Sequence, residues 1–144
     1  MKRRFEYAIR RDDLVLIDDY AHHPEELRAC ISSVREMYPQ RKITGIFQPH
    51  LFSRTRDFVD EFARSLELLD EIILLPIYPA RELPMPGIDS QWLLDKITKP
   101  SKILVQKSEL LDELKSRNLE VVLMLGAGDI DALVEPVRKA LENR

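Results

Sequence analysis

Five short apolar runs restrict what this chain can fold into. They are LVLI (Leu14–Ile17), KITGIF (Lys42–Phe47), EIILL (Glu71–Leu75), KILV (Lys102–Val105) and VVLML (Val121–Leu125). A nearly continuous apolar run of that length reads as a strand covered on both faces. Between the runs the apolar spacing turns to three and four. Leu27, Ile31, Val34 and Met37 follow the first run, ahead of a stop near Tyr38-Pro39. Phe58, Phe62, Leu66 and Leu69 follow the second, on a helix from about Arg56 to Leu68. Shorter helices are expected over Ser90–Ile97 and Ser108–Lys115, and Ile130–Leu141 closes the chain as a helix. Phe5, Tyr7 and Ile9 alternate with Glu6, Ala8 and Arg10, the period of a half-buried strand, and a polar turn at Arg11-Asp12-Asp13 joins it to the first run. The prediction is an α/β fold: a doubly wound, mostly parallel sheet of about six strands, an antiparallel edge strand over Phe5–Arg10, and helices on both faces.

The bulk properties narrow the class. A length of 144 residues fits one domain over 1–144, enough to bury roughly 70% of the unfolded chain's surface. A net charge of −3 gives no electrostatic reason to bind nucleic acid. The single cysteine, Cys30, excludes an internal disulfide, fits a reducing compartment and reads as a small buried side chain on the first helix. No apolar run approaches the roughly 20 residues of a membrane span, and the basic start KRR leads into no signal-type apolar core. A cytoplasmic protein is expected. The strand pattern begins at once, which suggests a piece of a longer polypeptide.

Parallel strands bring their carboxyl ends to one rim, where open α/β sheets bind ligands. Four of these ends are polar or glycine-rich here: DDYAHHP (Asp18–Pro24), QPHLFSRTRD (Gln48–Asp57), PIYPARELPMPGI (Pro76–Ile88) and GAGD (Gly126–Asp129). Asp18, Asp19, His22 and His50 are metal-ligand types, but adjacent histidines diverge and the spacing matches no usual zinc signature. A strand-end turn with a helix cap accounts for Asp19 and Pro24 and leaves Tyr20, His22 and His23 over. Arg54 is either a bidentate clamp for a carboxylate or phosphate, or a surface arginine near a helix start, where positive charge is disfavoured. Prolines at 76, 79, 84 and 86 make the third segment an ordered surface loop with a functional or lid role, although YPARE alone reads as no more than a loop salt bridge. GAGD lacks the third glycine of a dinucleotide fingerprint, and no P-loop occurs in the chain.

DDYAHHP, QPHLFSRT, YPARE and GAGDI, in this order and spacing, resemble the C-terminal domain of the Mur ligase family, and KRRFE is similar to the segment that leads into it. The resemblance covers essentially the whole chain. It implies a Rossmann-like last domain of a three-domain cytoplasmic ligase of peptidoglycan synthesis. The UDP-sugar-binding domain and the central P-loop domain, which carries the Mg2+ sites, would lie upstream, and no metal site is expected in this domain. QPHLFSRT and YPARE are most similar to members that add L-alanine to UDP-N-acetylmuramate with ATP through an acyl phosphate. By resemblance Asp19, aided by Asp18, holds the ATP ribose. Tyr20, His22, His50 and Arg54 line the L-alanine pocket, with Arg54 on its carboxylate and His22 or His50 steering the amine or taking its proton. His23 is left to packing or capping. Leu51 departs from the pattern, which carries a second arginine there. Other readings stay open: a ligase that recycles murein peptide, a free-standing Rossmann-like binding module, or a metal hydrolase using Asp18, Asp19, His22 and His50.

Overall fold

The computed structural model describes residues 4–143. The chain runs β1 (Glu6–Arg10), β2 (Val15–Asp19), α1 (Pro24–Met37), β3 (Ile43–Phe47), α2 (Phe52–Asp57), α3 (Val59–Leu66), β4 (Glu71–Leu74), α4 (Ser90–Lys96), β5 (Lys102–Leu104), α5 (Leu110–Lys115), β6 (Val121–Leu125) and α6 (Val134–Glu142). All five apolar runs are strands of one six-stranded sheet, in the order β1-β2-β6-β3-β4-β5. Every pairing is parallel except that of β1 with β2, so the predicted sheet and its antiparallel edge are both present.

Burial on both faces explains the continuous apolar runs. On one face Val15, Ile17, Phe47, Leu123 and Leu125 pack with Leu27, Ile31 and Val34 of α1 and Phe62 and Leu66 of α3. On the other, Leu16, Ile46, Ile73, Val122 and Met124 pack with Leu110 and Leu114 of α5 and Val137 and Leu141 of α6. Full burial of each such side chain contributes about 1.5–3 kcal/mol, the main term holding the layers together. Helix α1 begins on Pro24, carries Glu25 and Glu26 in its first turn and Arg35 in its last, and ends before Pro39, as proline geometry and the helix dipole favour. Buried Ser65 of α3 donates its hydroxyl to the Pro24 carbonyl at 3.0 Å, fixing the start of α1 against α3.

Three expectations fail for identifiable reasons. Strict alternation puts Phe5, Tyr7 and Ile9 on one face, but the β1–β2 register slips between Tyr7 and Ile9. The extra residue, Ala8, forms a bulge, and a bulge reverses the facing of the residues beyond it. Phe5 and Tyr7 therefore pack on the α1 face and Ile9 on the α6 face. Met37 and Phe58, expected inward, are 47% and 42% exposed. Met37 is the last residue of α1, beyond the core, and Phe58 is the break between α2 and α3. That break is the third correction: the second helical stretch is two helices, and the first begins at Phe52, inside the segment expected to be a polar strand end. The last two helices also open with 3-10 turns, Lys107–Glu109 and Asp129–Leu133. Among the described residues no helix is long and apolar enough to cross a membrane.

Gly45 lies in the middle of β3 because Leu69 occupies the space a side chain would need. A Cβ there would come within 2.3 Å of the Leu69 Cδ1. Gly45→Ala is expected to cost about 1–3 kcal/mol, the usual range for overpacking, read as a lower urea midpoint at unchanged m-value.

Candidate functional site

The carboxyl ends of β2, β6, β3 and β4 share one rim because these strands are parallel neighbours. Asp19 ends β2 and is 3% exposed. Its Oδ1 accepts the Ala21 N–H at 2.8 Å and its Oδ2 the Phe5 N–H at 2.9 Å. The carboxylate thus shapes the turn after β2 and anchors the chain before β1. Beside it lies the Cys30 thiol, pushed far up by burial and by the Asp19 charge and hydrogen bond. Asp19 and Cys30 border an open groove of about 430 Å3 with Arg4, Phe5, Glu25 and Ser33. Neighbouring strand residues point to opposite faces, so Asp18, also buried, stands on the side of Leu16 and away from this groove.

After Asp19 the chain turns into α1 with both histidines in the turn. The Glu26 Oε1 accepts the N–H groups of His22 and His23, each at 3.1 Å, which satisfies donors at the helix start. Burial works to raise the Glu26 carboxyl, but these donors and the two imidazoles outweigh it and hold it below its ordinary range. The His22 Nδ1 lies 3.0 Å from the Tyr20 carbonyl oxygen, and the Tyr20 ring meets the His22 ring edge-on at 5.1 Å. His22, His23 and Glu26 each offer a ligand atom within 4.8 Å of one another. The same Glu26 oxygen is already engaged by the turn it caps.

The second wall comes from the chain after β3. His50 faces His22 at 5.7 Å between ring centroids and Tyr78 at 5.5 Å. Its Nδ1 is buried without a hydrogen-bond partner, as is the Nη1 of Arg54 on α2. A buried guanidinium N–H left unpaired costs free energy that a carboxylate acceptor would recover. Burial first, then the charges of His22 and Arg54, lower the His50 pKa below 6.5; burial, Arg54 and His22 do the same to His23. His50 and His23 are therefore neutral at neutral pH, and a neutral imidazole accepts a proton.

The structure thus brings Tyr20, His22, His50 and Arg54 to one place, with His23 beside them. Asp19 lies on the same rim in the adjoining groove, and Asp18 on the opposite face. Three further residues, Gln48 of QPHLFSRT and Tyr78 and Glu82 of YPARE, are assigned no task by the sequence and take their roles from their contacts. Gln48 is buried, donating to Asp129 at 2.6 Å and accepting the Ile130 N–H at 3.0 Å, so it ties the end of β3 to the glycine turn. Tyr78 forms an isolated parallel bridge with His50: its N–H donates to the Pro49 carbonyl at 2.9 Å and its carbonyl accepts the Leu51 N–H at 2.8 Å. Glu82, instead of forming a loop salt bridge, accepts the N–H groups of Phe52 and Ser53 at 2.6 and 3.1 Å and the Ser53 hydroxyl. The Ser53 hydroxyl and these two amides outweigh desolvation and hold the Glu82 carboxyl below its ordinary range. Gly128 is glycine for space: a Cβ there would fall 2.6 Å from the Tyr78 ring and 2.6 Å from the Gln48 side-chain oxygen.

Among known proteins, residues 3–128 match the glutamate ligase domain of the Mur ligases. A UDP-N-acetylmuramate–L-alanine ligase of Parabacteroides distasonis is 61% identical over 140 residues, 97% of this chain and 30% of that protein. The enzyme of the same name in Flavobacterium johnsoniae is 56% identical over 141 residues, 98% of this chain and 31% of that protein. A crystal structure of a UDP-N-acetylmuramate–alanine ligase from Thermotoga maritima superposes with a TM-score of 0.79 at 27% identity, over 98% of this chain and 30% of that one. The chain spans about 30% of the length of the relatives it matches.

The lowered imidazoles have a consequence for stability. A group whose pKa is lower folded than unfolded binds fewer protons in the folded state, so its contribution is complete above pH 6.5 and lost as pH falls through the folded value. The unfolding midpoint should decline as pH drops below about 6.5, and His50→Gln should flatten that decline in a thermal series from pH 7.5 to 5.5.

Proposed function

The chain belongs to the Mur ligase family, and we propose that it is the C-terminal domain of a cytoplasmic ligase that joins L-alanine to UDP-N-acetylmuramate in peptidoglycan synthesis. The observation that carries the reading is the Arg54 Nη1, buried without a hydrogen-bond partner on a half-buried side chain beside imidazoles. An amino acid offers that arrangement both of its needs: a carboxylate for the guanidinium and an amine beside a base. ATP supplies the phosphoryl group that activates the muramic carboxylate as an acyl phosphate, and the upstream domains hold the triphosphate and Mg2+.

The residues of this chain then have separable tasks. Arg54 pairs with the alanine carboxylate and fixes which end of the molecule faces the imidazoles. An α-ammonium group must lose a proton before it attacks, and His22 or His50 takes or steers it. The lowered pKa of His50 keeps it in the accepting form. Tyr20 packs against His22 and holds the ring in place. Asp19 is suited to a ribose hydroxyl, since a carboxylate has about four acceptor directions and the two amides and the Cys30 thiol take three of them, and the groove beside it is open. Asp18 is buried on the other face of the same strand end, so Asp19 is the carboxylate assigned to ATP.

The test uses the full-length protein, assayed for ATP-dependent ligation to UDP-N-acetylmuramate. Product with L-alanine supports the proposal; product with a peptide but none with L-alanine transfers it to murein recycling. Arg54→Ala should weaken L-alanine use by about 1.5–3 kcal/mol, the range for hydrogen bonds to a charged group, with the ATP Michaelis constant little changed. Asp19→Ala should do the reverse. An Arg54→Ala enzyme with wild-type alanine kinetics removes the clamp from the mechanism.

A further inference from the structure

We infer that Glu82 is a positioning residue for amino-acid recognition: it caps α2 from the proline-rich loop and so sets where Arg54 is presented. This rests on the reading of Arg54 as the carboxylate clamp. Helix α2 cannot cap itself. Its N-cap is Leu51, which has no acceptor side chain and adopts φ +73°, in the left-handed region that leucine avoids. The amides of Phe52 and Ser53, two of the donors that a helix start leaves without an intrahelical partner, both donate to one oxygen of Glu82, and the Ser53 hydroxyl donates to the other. Arg54 is the next residue.

The loop is built to deliver that carboxylate. The Glu82 N–H donates to the Pro79 carbonyl at 2.9 Å, closing a tight turn whose central residues, Ala80 and Arg81, have φ of +46° and +78°. Both positions would favour glycine, and neither is glycine. Non-glycine residues persist in such conformations only where surrounding contacts over-determine them. Here those contacts are the Glu82 cap at one end and the Tyr78 backbone bridge to Pro49 and Leu51 at the other. The same bridge holds His50, so the loop fixes both unpartnered groups, the His50 Nδ1 and the Arg54 Nη1, relative to each other.

The test compares Glu82→Ala and Glu82→Gln in the full-length ligase, with two readouts. Hydrogen exchange over residues 50–57 judges the cap, and the Michaelis constants for L-alanine and ATP judge the positioning. Glu82→Ala should speed exchange of the Phe52 and Ser53 amides and raise the L-alanine constant roughly tenfold or more, as expected for a displaced binding group, with the ATP constant within about twofold. Glu82→Gln, which keeps an acceptor oxygen, should recover most of both losses. Unchanged protection in Glu82→Ala overturns the cap. Lost protection with an unchanged alanine constant overturns the positioning role. A parallel rise in both constants, or general loss of protection, shows a merely structural residue; if Glu82→Ala does not fold, the same criteria are applied to Glu82→Asp, whose shorter side chain cannot reach the two amides from the same loop. A wild-type protein that ligates no L-alanine defeats the function proposed above, while the exchange data still decide the cap.

Discussion

The arrangement at the rim depends on β6 lying between β2 and β3. Its backbone bonds run parallel to both neighbours in continuous register, pairing Leu125 with Asp19 on one side and with Phe47 on the other. The two polar segments that form the site therefore leave the sheet at the same level, one strand apart. Without the inserted strand, DDYAHHP and QPHLFSRT would have no fixed relation. The inserted strand also brings its own glycine turn into the gap, where Gln48 fastens it to β3.

Around that frame the site is held by backbone-directed polar bonds more than by ion pairs. Asp19, Glu26 and Glu82 are acidic side chains at the rim, and each accepts main-chain amides. Each is thereby committed to shaping a turn. Among the described residues, the buried side-chain nitrogens without a hydrogen-bond partner are the Arg54 Nη1 and the His50 Nδ1. The balance suits an anion at Arg54: the carboxylates nearest it, Glu26 and Glu82, are engaged in the scaffold, and a guanidinium N–H is left over as donor.

The sheet was legible because burial on both faces leaves a continuous apolar signal, and the rim was legible because parallel strands must end together. DDYAHHP and QPHLFSRT were expected on one rim for the same reason, and they lie there. Failures came where one residue changes the geometry without changing the pattern. Ala8 is unremarkable in an alternating run, yet as a bulge it sends Ile9 to the opposite face. Leu51 looks like a poor helix start, so α2 was hidden, because its cap comes from a carboxylate thirty residues away in the chain. Asp18 and Asp19 look like a pair in one dimension, but the pleat separates them. YPARE marked the loop of Tyr78 and Glu82, but the task of each comes from what it touches, which no spacing rule could supply.

The contact between Gly128 and Tyr78 gives the glycine turn a different significance from that of a phosphate cradle. The bare backbone is a seat on which an aromatic ring rests, and the ring in turn backs His50. Sterically the two positions form one compartment divided between distant parts of the polypeptide. Evolutionary drift at either is constrained by the other: a methyl group on the seat demands a smaller occupant, and a smaller occupant leaves the imidazole unsupported.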